Sequence, residues 1–238
     1  MQSQCPQCNG MGFFRQDVMW DDPNFGKLVK CDHPYHQPER VKQLESISGL
    51  IGADLNVRLS DIDKSASNAG MIDAAQQIIA DRRGWLYIWG TYGNAKTIAL
   101  TAIVNQLNEN GHGPAMYTTL TAIIDWMRES FREQKLKDSD PAANLGYIQR
   151  FDKLKAIKCL AIDEMDKARD TAFAEEFCFS FLDERYRQAY RGETITIFAG
   201  NSNPSLQPPA IYDRVRDGRF MIVENKAASG RPVMDWTR

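Results

Sequence analysis

Residues 85–100 read "WLYIWGTYGNAKTIAL", an apolar strand followed by a glycine-containing turn and the start of a helix. Gly90 and Gly93 allow the backbone to fold into a nest of N–H groups that can bind phosphate. Lys96 can reach the β- and γ-phosphates of a nucleotide, and Thr97 can place its hydroxyl on Mg²⁺. The stretch therefore predicts a phosphate-binding loop. Its predicted contact residues are Gly90, Thr91, Tyr92, Gly93, Asn94, Ala95, Lys96, Thr97 and Ile98.

Ala95 departs from the usual loop pattern, which has a second glycine directly before the lysine. Its methyl group is expected either to crowd the phosphate cradle or to disfavour a positive φ that glycine tolerates. The chemistry of Lys96 and Thr97 is unaffected by this change. We therefore expect nucleotide to bind, with affinity or turnover reduced.

A second candidate element is "CLAIDEMD" at residues 159–166, an apolar strand that ends in adjacent carboxylates. Such a pair also occurs at ordinary strand ends. At the third strand of a phosphate-loop domain, however, it favours a catalytic role. Asp163 would hold Mg²⁺, directly or through water, and Glu164 would polarise the attacking water.

From about Leu59 onward, strand and helix patterns alternate. Strands that are apolar on both faces, with helices between them, predict a parallel sheet covered by helices on both sides. The predicted strands are "WLYIWG", "AMYTTL", "KCLAIDEMD", "TITIFAGN" and "FMIVEN". The predicted helices are "MIDAAQQIIADRR", "KTIALTAIVNQLNENG", "AIIDWMRESFREQ" and "TAFAEEFCFSFLDERYRQAY", with a loop around "DSDPAAN".

The N-terminal segment carries Cys5 and Cys8 in a "CPQC" turn and Cys31 in "KCDHPYH". Three thiols and one imidazole can close a tetrahedral structural zinc site. His33 is the preferred fourth ligand and His36 is the alternative. Free cysteines in a tail are the plainer interpretation. The expected organisation is a zinc-binding segment at residues 1–40, a linker at 41–58 and the main domain at 59–238.

Composition excludes several classes of protein. The formal net charge of −2 argues against a protein that coats nucleic acid through overall basicity, and 43% hydrophobic residues suffice for a core. The sequence lacks an apolar stretch of membrane-spanning length and the apolar core of a signal peptide, so we expect a cytoplasmic protein. Five cysteines, with Cys159 and Cys178 in apolar patterns, do not suggest a disulfide framework.

Several of these stretches together resemble the AAA+ ATPases, most closely the DnaC/DnaI-type replicative helicase loaders, including phage and prophage versions. The resemblance covers about residues 55–238 and, more loosely, the cysteine-bearing segment. It implies a five-stranded parallel sheet with helices on both sides and no separate helical lid domain. The stretches that carry it are "GTYGNAKTIAL", "CLAIDEMD", "FLDERYR", "TITIFAGNSNPSL", "IYDRVRDGRF" and the closing "GRPVMDWTR".

The resemblance also implies roles for individual residues. Asn201, at the end of "TIFAGN", matches the sensor-1 residue that positions water near the γ-phosphate. Arg214 matches the arginine finger that is offered to the neighbouring subunit's nucleotide, and Arg216 and Arg219 are the nearby alternatives. The plainer interpretation is that Asn201 is a turn residue and that Arg214 is a solvated charge on a helix.

The implied function is ATP-dependent loading of a replicative hexameric helicase onto single-stranded DNA by a self-associating protein. It requires ATP, Mg²⁺ and, at the N-terminus, Zn²⁺. The alternatives are a transposition helper ATPase of the IstB type and a non-hydrolysing, zinc-containing adaptor. The basic side chains considered for DNA contact, which are equally compatible with solvated helix faces, are Arg128, Arg132, Arg185, Arg187 and Arg191.

Overall fold

The computed structural model describes residues 5, 7–8, 13–16, 18–20, 22–23, 25–31, 45–46, 48–135, 143–167 and 171–230. The chain divides into two compact units, Met1–Ser46 and Ile47–Arg238. His33 and His36 lie outside the described residues, as does most of the closing "GRPVMDWTR". Among the described helices, none combines the length and the apolar character needed to cross a membrane.

The N-terminal unit contains an antiparallel hairpin that the sequence patterns did not predict. Strand β1 (Phe13–Arg15) pairs with β2 (Leu28–Lys30), and Phe13 lies opposite Lys30. Cys5, Cys8 and Cys31 are buried together, with Phe14 packed against them. Three buried thiols and one phenyl ring make a very small apolar core, which is typical of units that need a metal for stability.

The larger unit is built on a parallel sheet of five strands in the order β4-β5-β6-β3-β7. Every pairing between neighbours in this sheet is parallel. The predicted α/β fold with a five-stranded parallel sheet is therefore confirmed. The strands are β3 (Gly84–Trp89), β4 (Ala115–Thr119), β5 (Cys159–Asp163), β6 (Ile195–Gly200) and β7 (Met221–Glu224).

Helices cover both faces of the sheet, as predicted. Within the described residues, no helical lid domain follows β7. The helices are α1 (Ala69–Asp81), α2 (Lys96–Glu109), α3 (Leu120–Lys135), α4 (Ala143–Ala156), α5 (Ala172–Tyr190) and α6 (Pro209–Val215), and short 3-10 segments lie at Gly52–Asn56, Leu59–Asp61 and Pro204–Leu206. Helix α4 was missed, because the predicted loop around "DSDPAAN" continues into it.

Two hydrophobic clusters lie on opposite faces of the sheet, and β3 contributes to both. Leu86 and Ile88 pack in the cluster with α1 and α2, whereas Trp85 and Tyr87 pack in the cluster with α3 and α5. This alternation follows from the two-residue period of a strand. The phenylalanines spaced four apart on α5 extend the second cluster, and the rings of Phe177 and Phe181 stack at 5.5 Å.

The fold bears on two sequence interpretations. Residues 48–58, within the stretch expected as a linker, are grouped with the larger unit, where the Asn105 side-chain amide donates to Asp54 O at 2.7 Å and to Val57 O at 3.0 Å. Arg185, considered for DNA contact, is fully buried. Its guanidinium donates to Ile195 O at 2.6 Å and to the hydroxyl of Thr196 at 3.0 Å, so it is unavailable to DNA.

Candidate functional site

Seven of the nine predicted nucleotide-binding residues, those at positions 92–98, line one cleft with a volume of about 730 Å³. Strand β3 leads into the predicted phosphate-binding loop, β5 ends at Asp163 and β6 leads into Asn201. Because the carboxyl ends of parallel strands meet at one edge of a sheet, residues far apart in sequence are brought together there. The cleft includes Lys96, Thr97, Asp163, Glu164 and Asn201. Arg214 is not among the residues that line it.

The backbone of the loop has the curvature that the glycines were expected to provide. Gly90 has a φ of 147° and Gly93 has a φ of 75°, both in the region that favours glycine. A Cβ atom at Gly90 would lie 2.2 Å from the carbonyl oxygen of Asn225. Gly90 is therefore required both for its conformation and for this close approach between backbones.

Ala95 adopts a left-handed conformation, with φ 67° and ψ 15°, at the N-cap of α2. This conformation costs a non-glycine residue roughly 1–2 kcal/mol. The residue packs against the hydrophobic cluster on the α1 and α2 side of the sheet. Of the two expected effects of alanine, the structure therefore supports backbone strain, because the methyl group finds its contacts in the core.

Lys96 is buried, and its ammonium group donates hydrogen bonds to the loop itself. The acceptors are Gly90 O at 2.8 Å, Thr91 O at 2.7 Å and Asn94 Oδ1 at 2.9 Å. An ammonium group in this position concentrates positive charge at the floor of the cleft. To reach a bound phosphate, Lys96 must exchange some of these acceptors for phosphate oxygens.

Asp163 is the centre of a hydrogen-bond network at the end of β5. The Thr97 hydroxyl donates to Asp163 Oδ2 at 2.6 Å, and the Tyr117 hydroxyl donates to the same oxygen at 3.1 Å. Burial, together with the charge of Asp163, raises the pKa of Tyr117 well above its usual range. Thr97 and Asp163 thus place side-chain oxygens next to each other, and oxygen is the ligand type that Mg²⁺ favours.

Sequence reasoning missed Tyr117, because a tyrosine in a strand usually indicates packing. Its position in β4, the strand that lies next to β5 in the sheet, is the signal that could have identified it. Tyr117 pairs with Ala161 in the parallel register, two residues before Asp163. A long side chain at that position reaches the neighbouring carboxylate.

Glu164, the predicted base, also has a left-handed backbone, with a φ of 57°. Its backbone N–H donates to Asp163 Oδ1 at 2.7 Å, which fixes the Asp163 carboxylate against the backbone of Glu164. Its carboxylate forms an ion pair with Lys167, and the hydrogen bond in this pair raises the pKa of Lys167. Left-handed non-glycine residues are concentrated at functional sites, where neighbouring bonds hold them in place.

Asn201 is held by Asp166, the last residue of "CLAIDEMD". Asp166 Oδ1 accepts from the backbone N–H of Asn201 at 3.1 Å and from its side-chain amide at 3.4 Å. The Ser202 hydroxyl donates to the other carboxylate oxygen at 3.4 Å. Asp166 therefore fixes the orientation of the sensor-1 candidate, a role that the sequence did not indicate.

Arg214 lies on α6 and is bonded within its own chain. Its guanidinium forms an ion pair with Asp183 on α5 and lies 5.0 Å from the ring centroid of Phe179. The alternatives are also paired, Arg216 with Asp213 at 3.0 Å and Arg219 with Asp217. An arginine finger from this surface must therefore exchange an internal carboxylate for phosphate.

Three of the remaining candidates for DNA contact are at least partly exposed and carry local partners. Arg128 donates to the Thr171 hydroxyl at 2.8 Å, Arg187 pairs with Asp183 at 2.8 Å, and Arg191 pairs with Glu193. Arg132 lies in α3, but its side chain is outside the described part of the chain. Single ion pairs of this kind at a surface are weak, so the arginines remain available to other partners.

The cysteine cluster has the spacing that a metal site requires. The Sγ atoms of Cys5, Cys8 and Cys31 all lie within 4.8 Å of one another. Burial raises the pKa of the Cys5 thiol, but hydrogen bonds from the backbone at Gln7 and Cys8 and from the neighbouring thiols outweigh this effect and lower the pKa to about 6. Thiolates are the form that binds zinc, so the three residues fit that metal.

A scan against protein-family models and a search of curated protein sequences find no match to this chain. Solved structures do resemble it. The replication initiator DnaA, bound to AMPPCP and single-stranded DNA, gives a TM-score of 0.59 at 14% identity, over 73% of this chain and 50% of that one. The DnaC helicase loader gives a TM-score of 0.59 at 13% identity, over 74% of this chain and 100% of that one. DnaI gives a TM-score of 0.52 at 19% identity, over 74% of this chain and 95% of that one.

These likenesses show that the chain shares the α/β fold of the DnaA, DnaC and DnaI structures, and they confirm the resemblance at the level of the fold. The chain spans about half the length of the DnaA structure. It spans the full length of the DnaC structure. The roles of the individual site residues remain predictions.

Proposed function

We propose that this chain binds MgATP in the cleft and hydrolyses it at sites between subunits, as a helper that loads a replicative hexameric helicase onto single-stranded DNA. The observation that carries the proposal is the convergence of Lys96, Thr97, Asp163, Glu164 and Asn201 on one cleft at the carboxyl edge of the sheet. These residue types supply a phosphate cation, metal ligands, a base and a polar group that positions water.

In the proposed reaction, Glu164 orients a water molecule and accepts its proton as the water oxygen bonds to the γ-phosphorus. The bond between that phosphorus and the bridging oxygen breaks, which yields ADP and phosphate. Thr97 and Asp163 would hold Mg²⁺, directly or through water, and the ion would supply positive charge that neutralises the phosphates. Lys96 adds a second positive charge, and Asn201, held by Asp166, positions the water. For this step, Glu164 must release Lys167.

The proposed arrangement of subunits rests on Arg214. Because Arg214 does not line its own cleft, we propose that it acts on the nucleotide of a neighbouring subunit, as the family resemblance implies. In a single chain it is bonded to Asp183. Assembly of subunits would then replace this carboxylate with the phosphate of the neighbour.

The loader role is supported by the fold shared with DnaC and DnaI and by the surface of the N-terminal unit. Four large apolar side chains of that unit are exposed, Trp20 by 77% and Met19, Phe25 and Leu28 by more than half. Exposed apolar side chains at this density are typical of contacts between proteins. We propose that the unit is held by Zn²⁺ bound to Cys5, Cys8, Cys31 and either His33 or His36, and that it contacts the helicase.

A second candidate function, the non-hydrolysing adaptor, is favoured by two specific observations. Glu164 is bonded to Lys167, and Arg214 is bonded to Asp183, so the predicted base and the predicted finger both have partners within the chain. An adaptor would bind nucleotide through Lys96 but would not turn it over. Turnover measurements therefore separate the two functions.

The test combines ATP binding, turnover and helicase capture. Lys96→Ala should abolish ATP binding, because it removes the buried cation at the floor of the cleft. Lys155→Ala is the matched control, since Lys155 pairs with Asp152 on α4, outside the cleft. Turnover should rise with single-stranded DNA and helicase present. Binding without turnover would establish the adaptor, and failure to co-purify with a hexameric helicase would contradict the loader.

A further inference from the structure

The segment that follows β7, residues 225–230, runs along the phosphate-binding loop. The Asn225 N–H donates to Trp89 O at 2.7 Å, directly before the loop. The Gly230 N–H donates to Gly93 O at 3.0 Å, in the middle of the loop. The sequence analysis placed no site residue in this segment, yet part of it lines the proposed nucleotide cleft.

Asn94 and Asn225 form a reciprocal pair of side-chain to backbone hydrogen bonds. The Asn94 side-chain amide donates to Asn225 O at 2.9 Å, and the Asn225 side-chain amide donates to Asn94 O. Both residues are almost fully buried. The amide orientations are forced, because Asn225 Oδ1 accepts from the N–H of Ala227 and Asn94 Oδ1 accepts from the ammonium of Lys96.

The bond to Asn94 O has a direct consequence for Ala95. The carbonyl of Asn94 and the nitrogen of Ala95 belong to one planar peptide, and rotation of that plane relative to the Ala95 Cα is the φ angle. On the other side, the Ala99 N–H donates to Ala95 O at 2.9 Å. The left-handed conformation of Ala95 is therefore fixed from both sides, by Asn225 and by the first turn of α2.

We infer that Asn225 is a positioning residue, which keeps Ala95 in the left-handed conformation and, through Asn94, keeps Lys96 beside the phosphate site. This inference rests on the proposed nucleotide-binding function. It explains how alanine can replace glycine in the loop, since a bond from outside the loop supplies the constraint that makes the disfavoured conformation stable. Asn225 acts through its neighbours, so it is not a catalytic residue.

The test is a double-mutant cycle of Asn225→Ala and Ala95→Gly, with Asn105→Ala as the matched control. Asn105 is also a buried asparagine whose amide donates two hydrogen bonds to backbone carbonyls, but these lie at residues 54 and 57. ATP affinity is measured by isothermal titration. Asn225→Ala should weaken binding about tenfold, the effect of roughly one lost hydrogen bond with its positioning. Ala95→Gly should restore affinity to within about threefold, because glycine adopts the conformation without the constraint.

A second measurement needs no nucleotide. Amide hydrogen exchange of the 90–97 peptide should be faster in Asn225→Ala, slower again when Ala95→Gly is added, and unchanged in Asn105→Ala. Asn225→Ser serves the same purpose if the alanine variant does not fold. Equal affinities and exchange rates for Asn225→Ala and Asn105→Ala, or no rescue by glycine, would overturn the inference. Absence of ATP binding by the unmodified chain would contradict the proposed function instead, and the exchange data would still decide the role of Asn225.

Discussion

Tyr117→Phe is a focused test of the proposed magnesium site. The substitution removes one hydroxyl that donates to Asp163 Oδ2 at 3.1 Å and leaves the half-buried ring in place. When Thr97 turns its hydroxyl toward a metal ion, Tyr117 becomes, within the described residues, the remaining side-chain donor to that carboxylate oxygen. Without it, Asp163 keeps the bond from the Glu164 N–H to Oδ1 but loses its anchor on Oδ2, so the ligand oxygen must be ordered each time Mg²⁺ binds.

A hydrogen bond to a charged group contributes about 1.5–3 kcal/mol, and the length and partial exposure of this one place it nearer 1 kcal/mol. One kcal/mol corresponds to about a fivefold change in an equilibrium constant. The Mg²⁺ concentration that half-saturates nucleotide binding should therefore rise about fivefold. Affinity for ATP in EDTA should not change, because the phosphate contacts of the loop do not involve Tyr117.

The assay is the fluorescence of a labelled ATP, titrated with Mg²⁺ at fixed nucleotide. Tyr186→Phe is the matched control, because it also removes a tyrosine hydroxyl that donates to an aspartate, Asp217, at 2.6 Å, but outside the cleft. An unchanged Mg²⁺ requirement in Tyr117→Phe, or an equal loss of affinity in EDTA, would show that Tyr117 serves packing and not the metal site.

Three further predictions concern other parts of the chain. The purified protein should hold about one equivalent of zinc. The Cys8→Ser substitution should remove this zinc, and acidification should release it because the thiolates become protonated. Metal-free protein from a reducing purification without chelators would refute this prediction. Arg214→Ala should bind ATP without turning it over, and mixing it with Glu164→Gln should restore activity, whereas an inactive mixture would exclude a finger acting in trans. Arg185→Met should lower the free energy of unfolding by about 3 kcal/mol in urea titrations, because it leaves buried carbonyls without donors; a change below 1 kcal/mol would contradict this role.

The sheet was predictable from the sequence because its strands are apolar on both faces and are bounded by recognisable loops. The helix at Ala143–Ala156 was not, since the preceding polar stretch with a proline resembles a loop. The N-terminal hairpin was missed for a different reason. Its strands are only three residues long, so no alternation can develop.

The candidate site was predictable where one short motif carries the chemistry, as at Lys96 and Asp163. Tyr117, Asp166 and Asn225 were not predictable, because their roles depend on which strands lie side by side. Arg185 shows the opposite error. Its charge indicated a surface residue, but packing of α5 against the sheet buries it, with backbone carbonyls as its partners.

The order of the strands means that the cleft exists only when nearly the whole larger unit is folded. The Asn94 to Asn225 bond joins residues 131 positions apart, and Thr97 and Asp163 are 66 apart. Contacts of such long range form late and slowly. A nucleotide that binds there therefore binds only molecules in which the larger unit is folded. At a concentration a hundredfold above its dissociation constant, it would add about 2.7 kcal/mol to their free energy of unfolding. In a cell, ATP would then stabilise the folded chain as a ligand, in addition to serving as a substrate. It would thereby protect folded subunits from proteolysis.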